Sequence, residues 1–398
     1  MFEGVRVVEV GTWIMVPAAA VLLADFGADV VKIEHPRGGD PARGLVTGGV
    51  SPMQGPVNLM IEQANRGKRS VALDIGSPHG REVLFELVSR ADVFLTSFLP
   101  AARENLRIDV DDIRQVNPKI VYAKADAVGP RGPERGKPGY DAAVFFGRAG
   151  ILNSFTRDGT PLVQPRPGFG DKTASLAIAF GIASALYQRE RTGNASVIDV
   201  SLLSSAMWVA SSDIVFSVAG GTDFSRRERP ATNPVGTHYV TADGRWIMLS
   251  MLESQRWWAP FCRALGHPEL VEDPRFADAA ARAQNAAACR ARLAEIFAGA
   301  TLDEWRAQLA DLVAPWEAVS DSAEVGVDPQ AVANDYITTV HHPSGEALRV
   351  VRSPVSSGED PAPLGVAPEF GQHTEEVLLE LGHSWDDITA LRESGAIP

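Results

Sequence analysis

VRVVEVGTWIMVPAAAVLLADFGADVVKIE, residues 5–34, is the stretch that decides the fold. Val5 to Val10 is a compact β-branched run, which reads as a buried strand. Pro17 to Phe26 has helical composition, with Pro near its start and Gly27 just past its end. Val30 to Glu34 reads as a second strand, so the stretch is a β-α-β unit. The alternation continues outward, with strands expected at 70–75, 92–96, 120–125 and 197–200. Helices are expected at 78–90, 109–116, 171–191 and 202–218. Such repetition predicts an α/β fold with a doubly wound, mostly parallel sheet of the nucleotide-binding type. The helix from Asp171 is apolar on nearly all sides through Tyr187, which predicts a core helix.

The bulk composition narrows the function. A chain of 398 residues with 45% hydrophobic content can build more than one core, so two domains are expected. The polar, Pro-containing stretch 220–234 is the candidate boundary, and beyond it a hairpin turns at Asp243-Gly244. A net charge of −13 argues against nucleic acid as a partner. It also means that any anionic ligand must be met by locally gathered positive charge. Two sparse cysteines, Cys262 and Cys289, suit a reducing compartment. The N-terminus enters a strand at once and no apolar run approaches a membrane span, so a cytoplasmic protein with no membrane partner is expected.

Several chemistries are excluded by their missing motifs. Gly132 to Lys137 has the wrong spacing for a phosphate loop, and Pro138 stands where Ser or Thr is required. The turn after the first strand, Gly11-Thr12-Trp13-Ile14, lacks the dinucleotide fingerprint. No Gly-x-Ser-x-Gly elbow exists, and His341-His342 lacks a partner motif, so no metal site is expected. Asp171 stands out after Gly168-Phe169-Gly170, where a helix start would keep a carboxylate ionised and fixed. Asp is equally a routine N-cap, and on residue physics both readings stay open. Cations gather in Asn65-Arg66-Gly67-Lys68-Arg69-Ser70 and in Arg37 to Arg43, each where a loop meets a strand. They read as a site for an anion with several phosphates, or as solvated charge. Trp13, Trp257 and Trp258 read as core packing or as walls of an apolar acceptor pocket.

These motifs, in their shared order, resemble the family III coenzyme A transferases, the group that includes formyl-CoA transferase, carnitine CoA-transferase and alpha-methylacyl-CoA racemase. The resemblance runs through Leu23 to Glu34, Gly38-Gly39-Asp40, Asn65 to Ser70, Leu73-Asp74, Asn117-Pro118, Gly139-Tyr140-Asp141, Gly170-Asp171, Arg191-Thr192-Gly193, Val197 to Ser201 and Gly371 to Thr374. It implies a large CoA-binding domain built from both chain ends, here 1–219 and 329–398, with a smaller α+β domain at 220–328. It also implies an interlocked homodimer. The implied activity moves coenzyme A from an acyl-CoA donor to a carboxylic acid through an aspartyl-CoA thioester on Asp171. No metal and no cofactor beyond coenzyme A itself is implied. Met15, Tyr140 and Gly170 are implied beside the reacting carboxylate. His35, Arg37, Arg66, Lys68, Arg69, Phe98 and Lys137 are implied as CoA contacts.

Departures from the family pattern sharpen the expectation. Tyr140 stands where the racemase has His, and a phenol is a poor base for an alpha proton. His35 stands where an Arg is usual, which puts one phosphate contact in question. Asn233 to Gly236 has no glycine-run lid, so oxalate is not the expected acceptor. Two other functions remain in view: a racemase or isomerase using Asp171 as acid/base, and a CoA-binding protein without catalysis. Selectivity is expected in the loops 13–17, 45–60 and 220–236.

Overall fold

The computed structural model describes residues 1–48, 53–156, 159–224, 232–356 and 362–398. Parts of the expected selectivity loops, at 49–52 and 225–231, lie outside the described residues. The chain divides into one unit of Met1–Arg226 with Val332–Pro398 and a second of Arg227–Ala331.

The first unit holds the large sheet. Strand β1 (Arg6–Val10) leads to helix α1 (Met15–Ala24) and returns as β2 (Asp29–Glu34). Strand β3 (Arg69–Ala72) follows, then α2 (Pro78–Ser89), β4 (Val93–Thr96) and β5 (Val121–Asp126). Helix α3 (Phe169–Thr192), strand β6 (Val197–Ser201) and helices α4 (Leu202–Val209) and α5 (Ser211–Gly220) complete the run. The six strands are parallel in the order β3-β2-β1-β4-β5-β6. Strand order therefore reverses between β1 and β4. In open sheets of this kind ligands bind outside the carboxyl ends at that reversal.

Alternation along each strand builds two cores. Val7, Val30, Val93, Leu95 and Val121 face α1 and α3. Val8, Val31, Val71 and Phe94 face α2 and the C-terminal helices α6 (Thr374–Leu381) and α7 (Trp385–Glu393). The large sheet is thus covered by both ends of the chain. Local signals explain the boundaries. Ser77 Oγ accepts from the Gly80 N–H at 3.0 Å, with Pro78 in the first turn of α2.

Two expectations about helices need correction. The predicted helix 202–218 is two helices, bent by 75° at the break. Helix α3 is not buried all round. Ala174, Ile178, Ile182 and Ala185 face the core, while Phe180 is 75% and Tyr187 67% exposed. Its period-3.6 pattern carries two apolar stripes, and the fold covers one of them.

The second unit has a three-stranded antiparallel sheet, Trp316–Ala318, Trp246–Leu249 and His238–Val240. Gly244 has φ +75° in the turn between the last two. Trp258 is buried in this unit's core, as the packing reading of that residue expects. Among the described residues, no single helix is long and apolar enough to cross a membrane.

Candidate active site

The turn after β1 arrives at the point where strand order reverses. Gly11 is required there, because a Cβ would lie 2.4 Å from Val16 Cγ1. The Thr12 N–H donates to Ser97 Oγ, just past β4, at 3.1 Å. Trp13 then takes φ +68°, a left-handed conformation uncommon for a bulky residue. Its N–H donates to Asp40 Oδ1 at 3.1 Å. Its indole meets the Tyr140 ring edge to face, with centroids 5.5 Å apart at 84°. Tyr140 is 61% exposed, and Met15 is buried at the start of α1.

Asp141 follows Tyr140 and precedes a π-helical segment, Ala142–Arg148. Such segments recur at functional sites. The buried Asp141 Oδ2 accepts from the Gly168 N–H at 2.8 Å and the Gly170 N–H at 3.1 Å. These are two of the donors that the start of α3 leaves without an intrahelical partner. The N-cap is Gly168 at φ +96°, with no side-chain cap of its own. Gly170 permits the contact. A Cβ there would lie 2.6 Å from Phe145 Cγ and 2.8 Å from Asp141 Cβ. Ile14 Cδ1 lies 3.3 Å from where a Gly168 Cβ would be.

Asp171 is therefore not the N-cap. It is the third residue of α3, and Asp141 does the capping from another segment. Among the described residues the Asp171 carboxylate has no hydrogen-bond partner. The expectation of a carboxylate held ionised by backbone donors also fails. Burial pushes the Asp171 carboxyl up to about 7, and the negative charge of Asp141 adds to the effect. The capping role of Asp141 was not legible in the sequence; the available signal was an α3 start, Gly168-Phe169-Gly170, that supplies no side-chain cap of its own.

The residues of the cation cluster each have internal partners. Arg66 is buried and grips Asp25 through Nε at 3.1 Å and Nη2 at 2.6 Å. Lys68 Nζ, fully enclosed, lies 2.7 Å from Glu9 Oε2. It also donates to the Pro17 and Ala64 carbonyls and to Asn65 Oδ1 at 2.9–3.0 Å. An ammonium has three protons, so none is left for a phosphate. Arg69 pairs with Asp29 and Glu380 and opens β3, at the amino end of the sheet. That is the wrong end for the ligand crevice. A groove of about 450 Å³ lined by Arg6, Arg69 and Arg90 opens at the same amino end and is likewise away from Asp171.

The other expected contacts are differently placed. His35 and Arg37 are exposed just past the carboxyl end of β2, and His35 Nδ1 accepts from the Arg37 N–H at 3.0 Å. Among the described residues the Arg37 guanidinium has no partner. Phe98 follows β4 beside the reversal point, half-buried against the core. Lys137 is exposed and paired with Glu134, which also takes Arg148. Among the described residues no three His, Cys, Asp or Glu side chains gather as a metal site.

Comparison with known proteins fits this geometry. The family described as CoA-transferase family III matches residues 2–374. An (R)-2-hydroxy-4-methylpentanoate CoA-transferase from Clostridioides difficile is 33% identical, covering 100% of this chain and 99% of the relative. A cinnamoyl-CoA:phenyllactate CoA-transferase from Clostridium sporogenes is 31% identical, covering 99% of this chain and 96% of that protein. A solved CAIB/BAIF family protein from Brucella suis superposes with TM-score 0.82 at 27% identity, covering 96% of this chain and 99% of its own. The chain belongs to CoA-transferase family III and is a transferase.

Proposed function

We propose that this chain moves coenzyme A from an acyl-CoA to a carboxylic acid, with Asp171 as the nucleophile. One observation carries the reading. Asp141 takes two of the amides at the start of α3, so Asp171 is left part-buried and, among the described residues, without a hydrogen-bond partner. A carboxylate deprived of hydrogen bonds and water is more basic, and therefore more nucleophilic, than one in solution.

The steps balance without a proton. An Asp171 oxygen attacks the thioester carbonyl, the C–S bond breaks, and CoA leaves as thiolate. The thiolate attacks the Asp171 carbonyl of the resulting anhydride, releasing the donor acid and forming the aspartyl-CoA thioester. The acceptor carboxylate attacks that thioester, giving a second anhydride and the thiolate again. Attack of the thiolate on the acceptor carbonyl yields the new acyl-CoA and restores Asp171. Met15, Tyr140 and Gly170 border the reacting carboxylate in this reading. His35, Arg37, Phe98 and Lys137 contact the CoA, whereas Arg66, Lys68 and Arg69 serve the fold.

Proton transfer at Asp171 is the competing chemistry, and a carboxyl near 7 would suit it. A racemase needs a second acid/base group. Among the described residues, the charge that acts on Asp171 is that of Asp141, whose Oδ2 already serves two amides. Transfer is therefore the reading favoured. The exposed stripe of α3, together with Trp208 at 82% exposure, supports a homodimer that covers these apolar faces. The free, buried Cys262 and Cys289 support a reducing compartment, read here as the cytoplasm.

Hydroxylamine added after acyl-CoA tests the mechanism. It should inactivate the enzyme through a hydroxamate at Asp171, and only when acyl-CoA is present. Inactivation without modification of Asp171 would sink the nucleophile.

A further inference from the structure

Four buried charges unused by this chemistry converge on one short segment. Glu9, Lys32, Asp40 and Lys68 are each under 5% exposed, and the two pairs of signs balance. Lys32 Nζ lies 2.8 Å from Glu9 Oε1 and 2.9 Å from Asp40 Oδ2. Lys68 Nζ lies 2.7 Å from Glu9 Oε2. A salt-bridged cluster of this kind contributes little net stability compared with apolar packing of the same volume. Each of three members also holds the turn after β1. Lys32 donates to the Gly11 carbonyl at 2.9 Å, Asp40 accepts from the Trp13 N–H at 3.1 Å, and Lys68 donates to the Pro17 carbonyl at 2.9 Å. The turn is thus fixed at its start and middle, and the first turn of α1 that follows it is held through Pro17.

The residue so held is Trp13, whose partly buried indole packs on one side against Ala42, Ile61 and Ala367. Trp13 keeps a left-handed backbone that glycine would adopt without cost. Local strain of this type persists where surroundings over-determine it. Its indole stands against Tyr140, whose neighbour Asp141 caps the helix carrying Asp171. Ile14, the next residue, packs on Gly168. Phe169, the first residue of α3, is 63% exposed.

We propose that Trp13 is a specificity-determining residue that selects acids with a branched or aromatic body, and that Asp40, with Lys32 and Lys68, is a positioning residue that holds it there. The inference rests on the reading of Asp171 as the reaction site. Its test is a binding ratio that does not depend on covalent chemistry. Affinities of 3-phenylpropanoate and acetate are measured by calorimetry on the CoA-saturated protein, with thermal unfolding as the control for folding. Hydrophobic pockets discriminate by roughly 10- to 200-fold for even small changes in bulk.

Trp13→Gly keeps the backbone contacts of the turn and relieves its conformation, which offsets part of the packing lost against Ala42, Ile61 and Ala367. It should lower the preference for 3-phenylpropanoate by about tenfold. Trp13→Phe should keep most of that preference. Asp40→Ala should lower the preference comparably, and the double variant should add nothing further, because the indole is already gone. Asp40→Asn retains an acceptor for the Trp13 N–H and should keep the ratio within about twofold. An unchanged ratio in folded Trp13→Gly overturns the proposal. So does a ratio in the double variant that falls as the product of the two single effects. An Asp171→Asn protein with full turnover would sink the nucleophile and leave these binding ratios to be judged by themselves.

Discussion

The buried Glu9–Lys32–Asp40–Lys68 cluster and the part-buried Asp171 carboxylate lie in one unit, and their charges are treated in opposite ways. In the cluster every charge has a counter-ion and the lysine protons are fully used. At Asp171 the charge that acts on it, Asp141, has the same sign, and the Gly168 and Gly170 amides are bonded to Asp141. A buried charge that is fully partnered can hold a shape and do no chemistry. One deprived of partners is the group a substrate can still satisfy. The pairing of a charged residue, more than its burial, separates scaffold from reagent here.

The comparison breaks most visibly at Asp171 itself. Asp171→Ala should lower turnover by about a thousandfold or more while CoA still binds, measured by initial rates and calorimetry. Retained turnover would put Asp171 among the scaffold residues. On the other side, Lys68→Met strands Glu9 with half its compensation. It should destabilise the protein by about 3–5 kcal/mol, read by denaturant unfolding. Normal stability with weakened CoA binding would restore Lys68 as a phosphate ligand.

The next effect is on pH dependence. The folded Asp171 pKa, about 7, lies above its ordinary value of 3.8, so the folded state favours the protonated form. The associated stability is fully present below pH 3.8 and is lost as pH rises through 7. Asp171→Asn should therefore stabilise the protein at pH 8 by about 2 kcal/mol, after allowance for partial solvent access, and by almost nothing near pH 3. The kcat/KM of the native enzyme should rise with pH and level off above about 7. A flat profile through that range would remove the unpaired carboxylate from the rate. The smallest effect belongs to the surface. Arg37→Ala should raise the KM for acyl-CoA about fivefold without changing stability.

How much of this the sequence disclosed depended on the range of the interaction. The β-α-β pattern of residues 5–34 and the caps at Ser77 and Gly193 are local, and the sheet follows from them. Asp171 was visible as a carboxylate at a helix start. Its state was not, because the residue that strips it of donors lies 30 positions earlier and meets it only in the fold. Arg66, Lys68 and Arg69 misled for a similar reason. A cation-rich loop looks like a phosphate site until Asp25, Glu9 and Asp29 are brought against it. The two faces of α3 also read alike in sequence, since apolar composition does not say what covers a stripe.

The most direct test of an Asp171 nucleophile follows the oxygen atoms. The enzyme is turned over with acyl-CoA and an acceptor acid labelled with heavy oxygen in its carboxylate, then digested and weighed. Attack by the acceptor on an aspartyl-CoA thioester leaves one labelled oxygen on the aspartate when the second anhydride is resolved. A single turnover should add the mass of one heavy oxygen to the peptide carrying Asp171, repeated turnover up to two, and Asp141, had it been the nucleophile, would carry the label instead. Full turnover with no label on Asp171 would contradict the account.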